Sequence, residues 1–479
     1  MSTFPILRRG LPAALGLFLG LGLAAPAWAQ SVSPRPYFSP NGGGAEATAA
    51  LLDEARSTID VAMYSFTTNN GTPIWGAMQR AIARGVRVRV VLHDAKRSNK
   101  SKADALAGIG AHVFGVSRTM HQKFAIIDGA TTRRRLVNGS ANWSTGAMTR
   151  YSENTVIFRS HLHLVHAFAE EFNRLLAAAE PLSAGAEAQM DPLRTSRPSP
   201  LVRRYEQAIF TSTNQGSQKV ATDTIIAAMR AAQRSIAIDV AHFNSRDLAQ
   251  TVIDLRRSRP DLKIEVLLDL GQYSDSKSRA KDLERAGVSV RYKTYSLVYL
   301  HPRAQLMHHK TVIIDEQKVI AGSFNWSDTA ENTNYENLMV IEGTVSRNRA
   351  CVAAYVAEHK KLWDLNRDVY PAFARAMRAR PGDAGYKKII PVHFDTQYFN
   401  TVMTLTRGEI APMRSVAFAS GIITTNPGGG NTYHNDSTYL DREAKRPHTG
   451  NVSGRFLDLT PVVGDTTGII GGIGEPDPE

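Results

Sequence analysis

Two stretches of the chain carry the same reactive side chains at the same spacing. Met120-His121-Gln122-Lys123 leads to Asp128 and then to Gly139-Ser140-Ala141-Asn142-Trp143-Ser144. Far downstream, Met307-His308-His309-Lys310 leads to Asp315 and then to Gly322-Ser323-Phe324-Asn325-Trp326-Ser327. His to Lys is two positions and His to Asp is seven in both copies; Asn to the following Glu is eleven in both, giving Glu153 and Glu336. Two imidazoles facing across one phosphate can divide the work of breaking a diester. One attacks phosphorus in line and forms a phosphohistidine; the other protonates the leaving oxygen and then deprotonates the water or alcohol that resolves the intermediate. Lys123 and Lys310 would supply charge to the non-bridging oxygens. Asn142 and Asn325 would donate amide hydrogen bonds there, with Ser140 and Ser323 assisting. Glu153 and Glu336 are candidates for holding each imidazole by its distal N–H. Asp128 and Asp315 fit a bracing role in the hairpin, or pairing with a nearby cation, better than chemistry. The donor set requires no metal, and the sequence has no His-Glu-x-x-His, cysteine cluster or carboxylate-rich loop to hold one, so no cofactor is expected.

The segments that must position these residues also repeat. A helical pattern over 45–57 leads into a strand-like run at 58–66, and a second over 218–234 leads into 235–243. Each is followed by an amphipathic helix (72–84; 248–257), a second strand (86–92; 262–268), a short helix and a third strand (112–114; 288–292). Strands alternating with helices indicate an α/β layer architecture. The motif itself reads as a β-hairpin: His121 and Lys123 leave one face of an extended strand, and Asp128-Gly129 marks a turn. The return strand carries Asn142 back beside His121, and Asn325 back beside His308. Gly139 and Gly322 would permit close backbone approach there. The hairpin tip of the first copy is longer and includes Arg133-Arg134-Arg135, an insertion that could affect substrate entry. Trp143 and Trp326 are expected to pack beneath their loops; His93 and His242, at strand ends, fit either a cleft lining or a satisfied polar role. A long helix closes each unit (161–178; 346–363).

The doubled His-x-Lys-x4-Asp with its Gly-Ser-x-Asn resembles the phospholipase D superfamily over roughly residues 37–364. The resemblance implies two similar α/β units, each mainly a β-sheet layer flanked by helices, related by a pseudo-twofold with the active site at their interface. It also implies a covalent phosphohistidine without metal, with His121 as nucleophile and His308 as acid/base; the residues alone do not rank the two.

Length and composition set the frame. At 479 residues more than one domain is expected. Arg8 and Arg9, an apolar run from Leu11 to Ala25, and Ala27-Trp28-Ala29 read as a secretory signal peptide over 1–29. The remaining organisation is a first repeat over 30–179, a proline-rich linker over 180–204, a second repeat over 205–365, and an extension of unknown role over 366–479. Cys351 is the single cysteine, which excludes an intramolecular disulfide, and its apolar setting predicts a buried, inert thiol. The net charge of +13 favours a polyanion or an anionic membrane face. The expected protein is therefore an exported phosphodiesterase, secreted or periplasmic. It is expected to be a monomer, because both half-sites are in one chain. Phospholipid hydrolysis or transphosphatidylation is favoured; the alternative is a metal-independent endonuclease acting on DNA or RNA.

Overall fold

A computed structural model describes residues 34–365, apart from 41, 150, 200–204, 270–271, 273–274 and 294–305, together with two short paired strands at Ile423–Asn426 and Gly430–Tyr433. The leader read over 1–29 and most of the extension over 366–479 lie outside the described residues. No described helix is long and apolar enough to cross a membrane.

The first repeat runs β1 (Arg35–Ser39), α1 (Gly44–Glu54), β2 (Thr58–Met63), α2 (Pro73–Ala83), β3 (Arg87–His93), α3 (Lys100–Gly108), β4 (His112–Val116), β5 (Lys123–Ile127), β6 (Arg135–Gly139), α4 (Thr145–Thr149), β7 (Glu153–Arg159) and α5 (Leu162–Ala177). After β8 (Glu180–Pro181), the second repeat follows the same order: β9 (Glu206–Phe210), α6 (Val220–Ala231), β10 (Ser235–Val240), α7 (Arg246–Ser258), β11 (Lys263–Asp269), α8 (Ala280–Arg285), β12 (Ser289–Lys293), β13 (Lys310–Ile314), β14 (Lys318–Gly322), α9 (Asp328–Asn332), β15 (Asn337–Glu342) and α10 (Ser346–Leu365). The first sheet is ordered β1-β7-β6-β5-β2-β3-β4-β8; the second, read from its β9 edge, is β9-β15-β14-β13-β10-β11-β12. The topologies coincide except for the extra edge strand β8.

Each sheet is mixed. The β2-β3-β4 and β10-β11-β12 strands are parallel, linked by helical crossovers, while the motif hairpin adds antiparallel strands beside β2 or β10. The central strands are almost wholly buried, which explains their runs of Ile, Val and Leu without alternation. The edge strands β1 and β9 carry no such run. Pro36 sits in β1, where a missing backbone donor is tolerated at a sheet edge.

Three large apolar clusters organise the packing. One lies on the α1–α3 side of the first sheet, and one lies among α6, α7 and the second sheet. The third contains residues of both repeats, among them Phe124, Phe158, Phe168 and Phe172 with Phe210, Ile313, Met339 and Cys351. Helices α5 and α10 contribute to this shared layer, so it holds the two halves to each other. Cys351 is fully buried within it, and burial pushes its thiol up to about 12.

The first part of the segment read as a linker is packed. β8 pairs with β4, Ala186 and Leu193 are buried, and the Arg89 guanidinium donates to the carbonyls of Gln189 and Asp191. Arg89 is itself buried against Asp60 (2.6 Å). A buried cation needs its donors satisfied, and the proline-rich segment supplies those acceptors.

Candidate active site

The motif histidines sit just before their strands, in the segments where the two repeats touch. Met120 bridges Tyr335, and at the equivalent positions Met307 bridges Ser152. The His121 amide donates to the Tyr335 carbonyl (3.0 Å), and the His308 amide to the Ser152 carbonyl (3.0 Å). Each motif is therefore anchored by the residue that precedes the other repeat's glutamate.

That exchange decides which carboxylate serves which imidazole. His121 Nδ1 lies 2.9 and 3.1 Å from the two oxygens of Glu336, and His308 Nδ1 lies 2.5 Å from Glu153 Oε1. The pairing is crossed: each histidine is held by the glutamate of the opposite repeat. With Nδ1–H donated to a carboxylate, Nε2 carries the lone pair, so the ring that must react is oriented and its tautomer is set. Burial pushes His121 down to about 4. Glu336 holds it partly up, while Lys123 and Lys310 push it further down. Near neutral pH this imidazole is uncharged, as a nucleophile must be. Burial raises the Glu336 carboxyl, but His121, Lys123 and Ser323 outweigh it and hold the group below its ordinary range.

The remaining motif residues divide into those close to the histidines and those that brace the frame. Lys123 and Lys310 are buried and donate to the carbonyls of His121 (2.6 Å) and His308 (2.9 Å), which keeps each ammonium beside its imidazole. Asn142 Oδ1 accepts from the Ser65 amide (3.2 Å), which turns its amide nitrogen away from that strand. Ser140 and Ser323 both bond to the strand that follows them. Ser323 Oγ donates to Glu336 (2.6 Å) and accepts from the Asn337 amide, while Ser140 Oγ accepts from the Asn154 amide (2.9 Å). These contacts tie the return strand to the one that follows it. An ideal Cβ on Gly139 would stand 2.1 Å from the Asn154 carbonyl oxygen, and one on Gly322 would stand 2.3 Å from that of Asn337. Glycine is required at both positions.

Asp128 and Asp315 brace the helix–strand turns. Asp128 accepts from the amides of Arg56, Ser57 and Thr58, and Asp315 from those of Gln233, Arg234 and Ser235. Burial raises both carboxyls, but the Ser57 hydroxyl and the backbone donors at Asp128, and the backbone donors at Asp315, win and hold them below the ordinary range. Trp143 and Trp326 are buried against Phe66 (5.5 Å) and Phe243 (4.9 Å) and pack under their loops. The Arg133–Arg135 insertion lies away from the histidines. It sits at the hairpin tip, beyond the end of β5 opposite His121, where Arg135 caps carbonyls of its own turn and neighbours Glu54.

With this geometry in place, similarity to known proteins decides the family. The sequence profile of the family described as "Cardiolipin synthase, PLD-like domain" matches residues 49–176 and 225–363, more than half of the chain. The chain belongs to this phospholipase D-like family. It is 33% identical over 133 residues to a mitochondrial cardiolipin hydrolase of Xenopus laevis, covering 28% of this chain and 56% of that protein. It is 33% identical over 81 residues to a phospholipase D of Rickettsia conorii, covering 17% and 36%. The chain spans about half the length of the curated relatives it matches. Among solved structures, a phosphatidylserine synthase of Haemophilus influenzae superposes with a TM-score of 0.54 at 14% identity, covering 69% of this chain and 86% of that one, a likeness of fold.

Sequence reading singles out His93 and His242 at their strand ends but misses Tyr64, Asp269 and Lys293 around this phospholipase D-like site. Tyr64 sets its ring edge-on to His121 (4.8 Å), stacks on His93 (4.9 Å) and lies under the Lys123 ammonium (5.0 Å). His93 and Asp269 occupy equivalent strand ends and accept the amides of Met120 (3.4 Å) and Met307 (2.9 Å). His242 contacts Gln272 (3.1 Å). Lys293 is buried behind the His308 half and donates to Ser152 Oγ (2.6 Å) and the Leu306 carbonyl (3.1 Å). Burial pushes Lys293 down to about 7 against the pull of Asp269 and Glu358. Its position at the end of the third strand was the available signal, since a lysine closing a buried parallel strand needs a polar partner. Among the described residues, no group of three or more His, Cys, Asp or Glu side chains is placed to hold a metal ion.

Proposed function

We propose that the chain is a phosphodiesterase that works through a phosphohistidine without a metal, and that its substrate is a phospholipid cleaved on the head-group side. The observation that carries this reading is the crossed pairing of His121 with Glu336 and His308 with Glu153. Such pairing makes one site out of two halves and orients two imidazoles for complementary roles. His121 Nε2 attacks phosphorus, and the bond to the leaving alcohol breaks as that oxygen takes a proton from the His308 imidazolium. Water then gives a proton to His308 and attacks phosphorus, breaking the P–N bond and restoring His121. Lys123 and Lys310 neutralise the non-bridging oxygens and the amides of Asn142 and Asn325 donate hydrogen bonds to them, the charge stabilisation a metal supplies in other phosphodiesterases.

The lipid preference is supported by the family description and by the cardiolipin hydrolase and phospholipase D relatives. The net charge of +13 is what favours the second reading, an endonuclease. The leader at 1–29 supports export, and the presence of both half-sites in one chain supports a monomer. The test incubates purified full chain in EDTA with phospholipid vesicles and, separately, with plasmid DNA. Head-group release confirms the lipid reading, and nicking of the plasmid alone replaces it with the nuclease. Loss of all turnover in chelator, or turnover that survives His121→Ala, rejects the mechanism.

A further inference from the structure

The second repeat carries a charged groove that the chemistry above does not use. Helices α7 and α8 follow successive parallel strands and run side by side, enclosing a cavity of about 400 Å³. Arg246 and Arg257 line it from α7, and Arg279 and Arg285 from the two ends of α8, against a single carboxylate, Asp282. Asp282 pairs with Arg279 (3.4 Å) and with Arg285. Arg246 and Arg257 form no ion pair among the described residues, and Arg279 Nε is buried without a hydrogen-bond partner there. The matching helix of the first repeat differs: Arg80 of α2 is paired with Asp53 of α1 at 2.8 Å.

Four guanidiniums around one carboxylate repel each other unless an anion joins them. Arg246 and Arg257 stand eleven residues apart on one helix, roughly 16 Å along its axis, so the charge lines a groove and is not a point. One end lies at the sheet edge that carries His308, since the Ala241 amide donates to the His309 carbonyl and the Arg279 amide to that of Phe243. Between the arginines the wall is apolar, with Ala249 and Ile253, and no aromatic side chain lines it. Single-stranded nucleic acid uses aromatic platforms for its bases, whereas a phospholipid head group presents phosphate beside glycerol carbon.

We propose that this groove is a second anion site that seats the phosphate head groups of anionic phospholipids and holds the enzyme at a membrane surface. The proposal rests on the lipid reading for its purpose but not for its test. Purified full chain is mixed with vesicles of phosphatidylcholine alone or of phosphatidylcholine with phosphatidylglycerol, and the bound fraction is measured by sedimentation. Arg257→Gln with Arg285→Gln, both on exposed side chains, is expected to weaken partition onto the anionic vesicles about 30-fold, from about 1 kcal/mol per charge. Hydrolysis of a soluble diester should be unchanged. Arg230→Gln with Arg349→Gln removes the same charge elsewhere and should have little effect; an equal loss in both pairs would reduce the groove to net charge and overturn the proposal. Loss of oligonucleotide binding with vesicle binding intact would overturn it in favour of nucleic acid. If the protein hydrolyses no diester at all but the partition difference persists, the groove stands and the catalytic reading falls.

Discussion

The two half-sites carry the same motif in different surroundings. Around His121, the Glu336 carboxylate also accepts from Ser323 (2.6 Å) and Asn334 (3.2 Å), and Tyr64 packs edge-on to the ring. Around His308, Glu153 Oε2 is buried without a hydrogen-bond partner among the described residues, and Ala241 stands where the first repeat has Tyr64. Asn142 is oriented by the Ser65 amide, whereas Asn325 Oδ1 has no such partner. In place of these contacts the second half has Tyr151 edge-on to His308 at a longer distance (6.4 Å) and Lys293 behind its backbone. Duplication therefore preserved the reacting groups and let their supports diverge. On the proposed mechanism, the half whose carboxylate is fully hydrogen-bonded holds the nucleophile and the other moves protons.

The largest test of that asymmetry is covalent trapping. His121→Ala should lower kcat by about 10,000-fold or more and leave no adduct. With an activated diester whose leaving group needs no proton, His308→Ala should accumulate a covalent phosphodiester-derived adduct on His121, detected by intact mass; an adduct in the first variant instead would reverse the roles. Next, Glu336→Gln and Glu153→Gln should each cost about 1,000-fold in kcat/KM, through loss of the held tautomer. Their pH profiles should differ. His121 loses its lone pair on protonation, so the acid limb should lie at about 4. Glu336 raises that value, so Glu336→Gln should move the limb to still lower pH while Glu153→Gln leaves it in place; identical shifts in both would erase the distinction.

Two further substitutions test what the halves share. Gly139→Ala and Gly322→Ala place a methyl against a backbone carbonyl, and each should destabilise by about 1–3 kcal/mol in urea melts. The smallest effect concerns the bracing aspartates. Their folded pKa values are depressed, so their contribution is present above an unfolded value near 3.8 and is lost as pH falls through the lower folded value. Asp128→Asn should cost about 1–3 kcal/mol at neutral pH and flatten the acid side of the stability curve. Asp315→Asn should cost less, because Asp315 is only partly buried.

Much of the architecture was legible because it is written locally. Apolar runs over 58–63 and 235–240 marked central strands, and the predicted helices match α1, α2, α6 and α7 to within a few residues. The edge strands β1 and β9 were missed: they are short, partly exposed and lack apolar periodicity, so only their sheet neighbours reveal them. The proline-rich stretch over 180–204 reads as a linker because prolines break local patterns, but its first part, to Leu193, packs on the first repeat. It is packed because Arg89, buried a hundred residues earlier in the chain, needs its carbonyls.

The amino-acid order alone marks the groups proposed to react. The repeated His, Lys, Asn and Glu spacing is a one-dimensional pattern, and side-chain type limits what each can do. It held no information on whether Glu153 serves His121 or His308. That choice joins residues 155 and 215 positions apart, and it follows from how two buried sheets dock through a shared apolar layer. Docking is a property of surfaces, and surfaces exist only once the chain has folded. The same is true of the arginine groove, whose four cations are ordinary helix-face residues until two parallel helices bring them around one carboxylate.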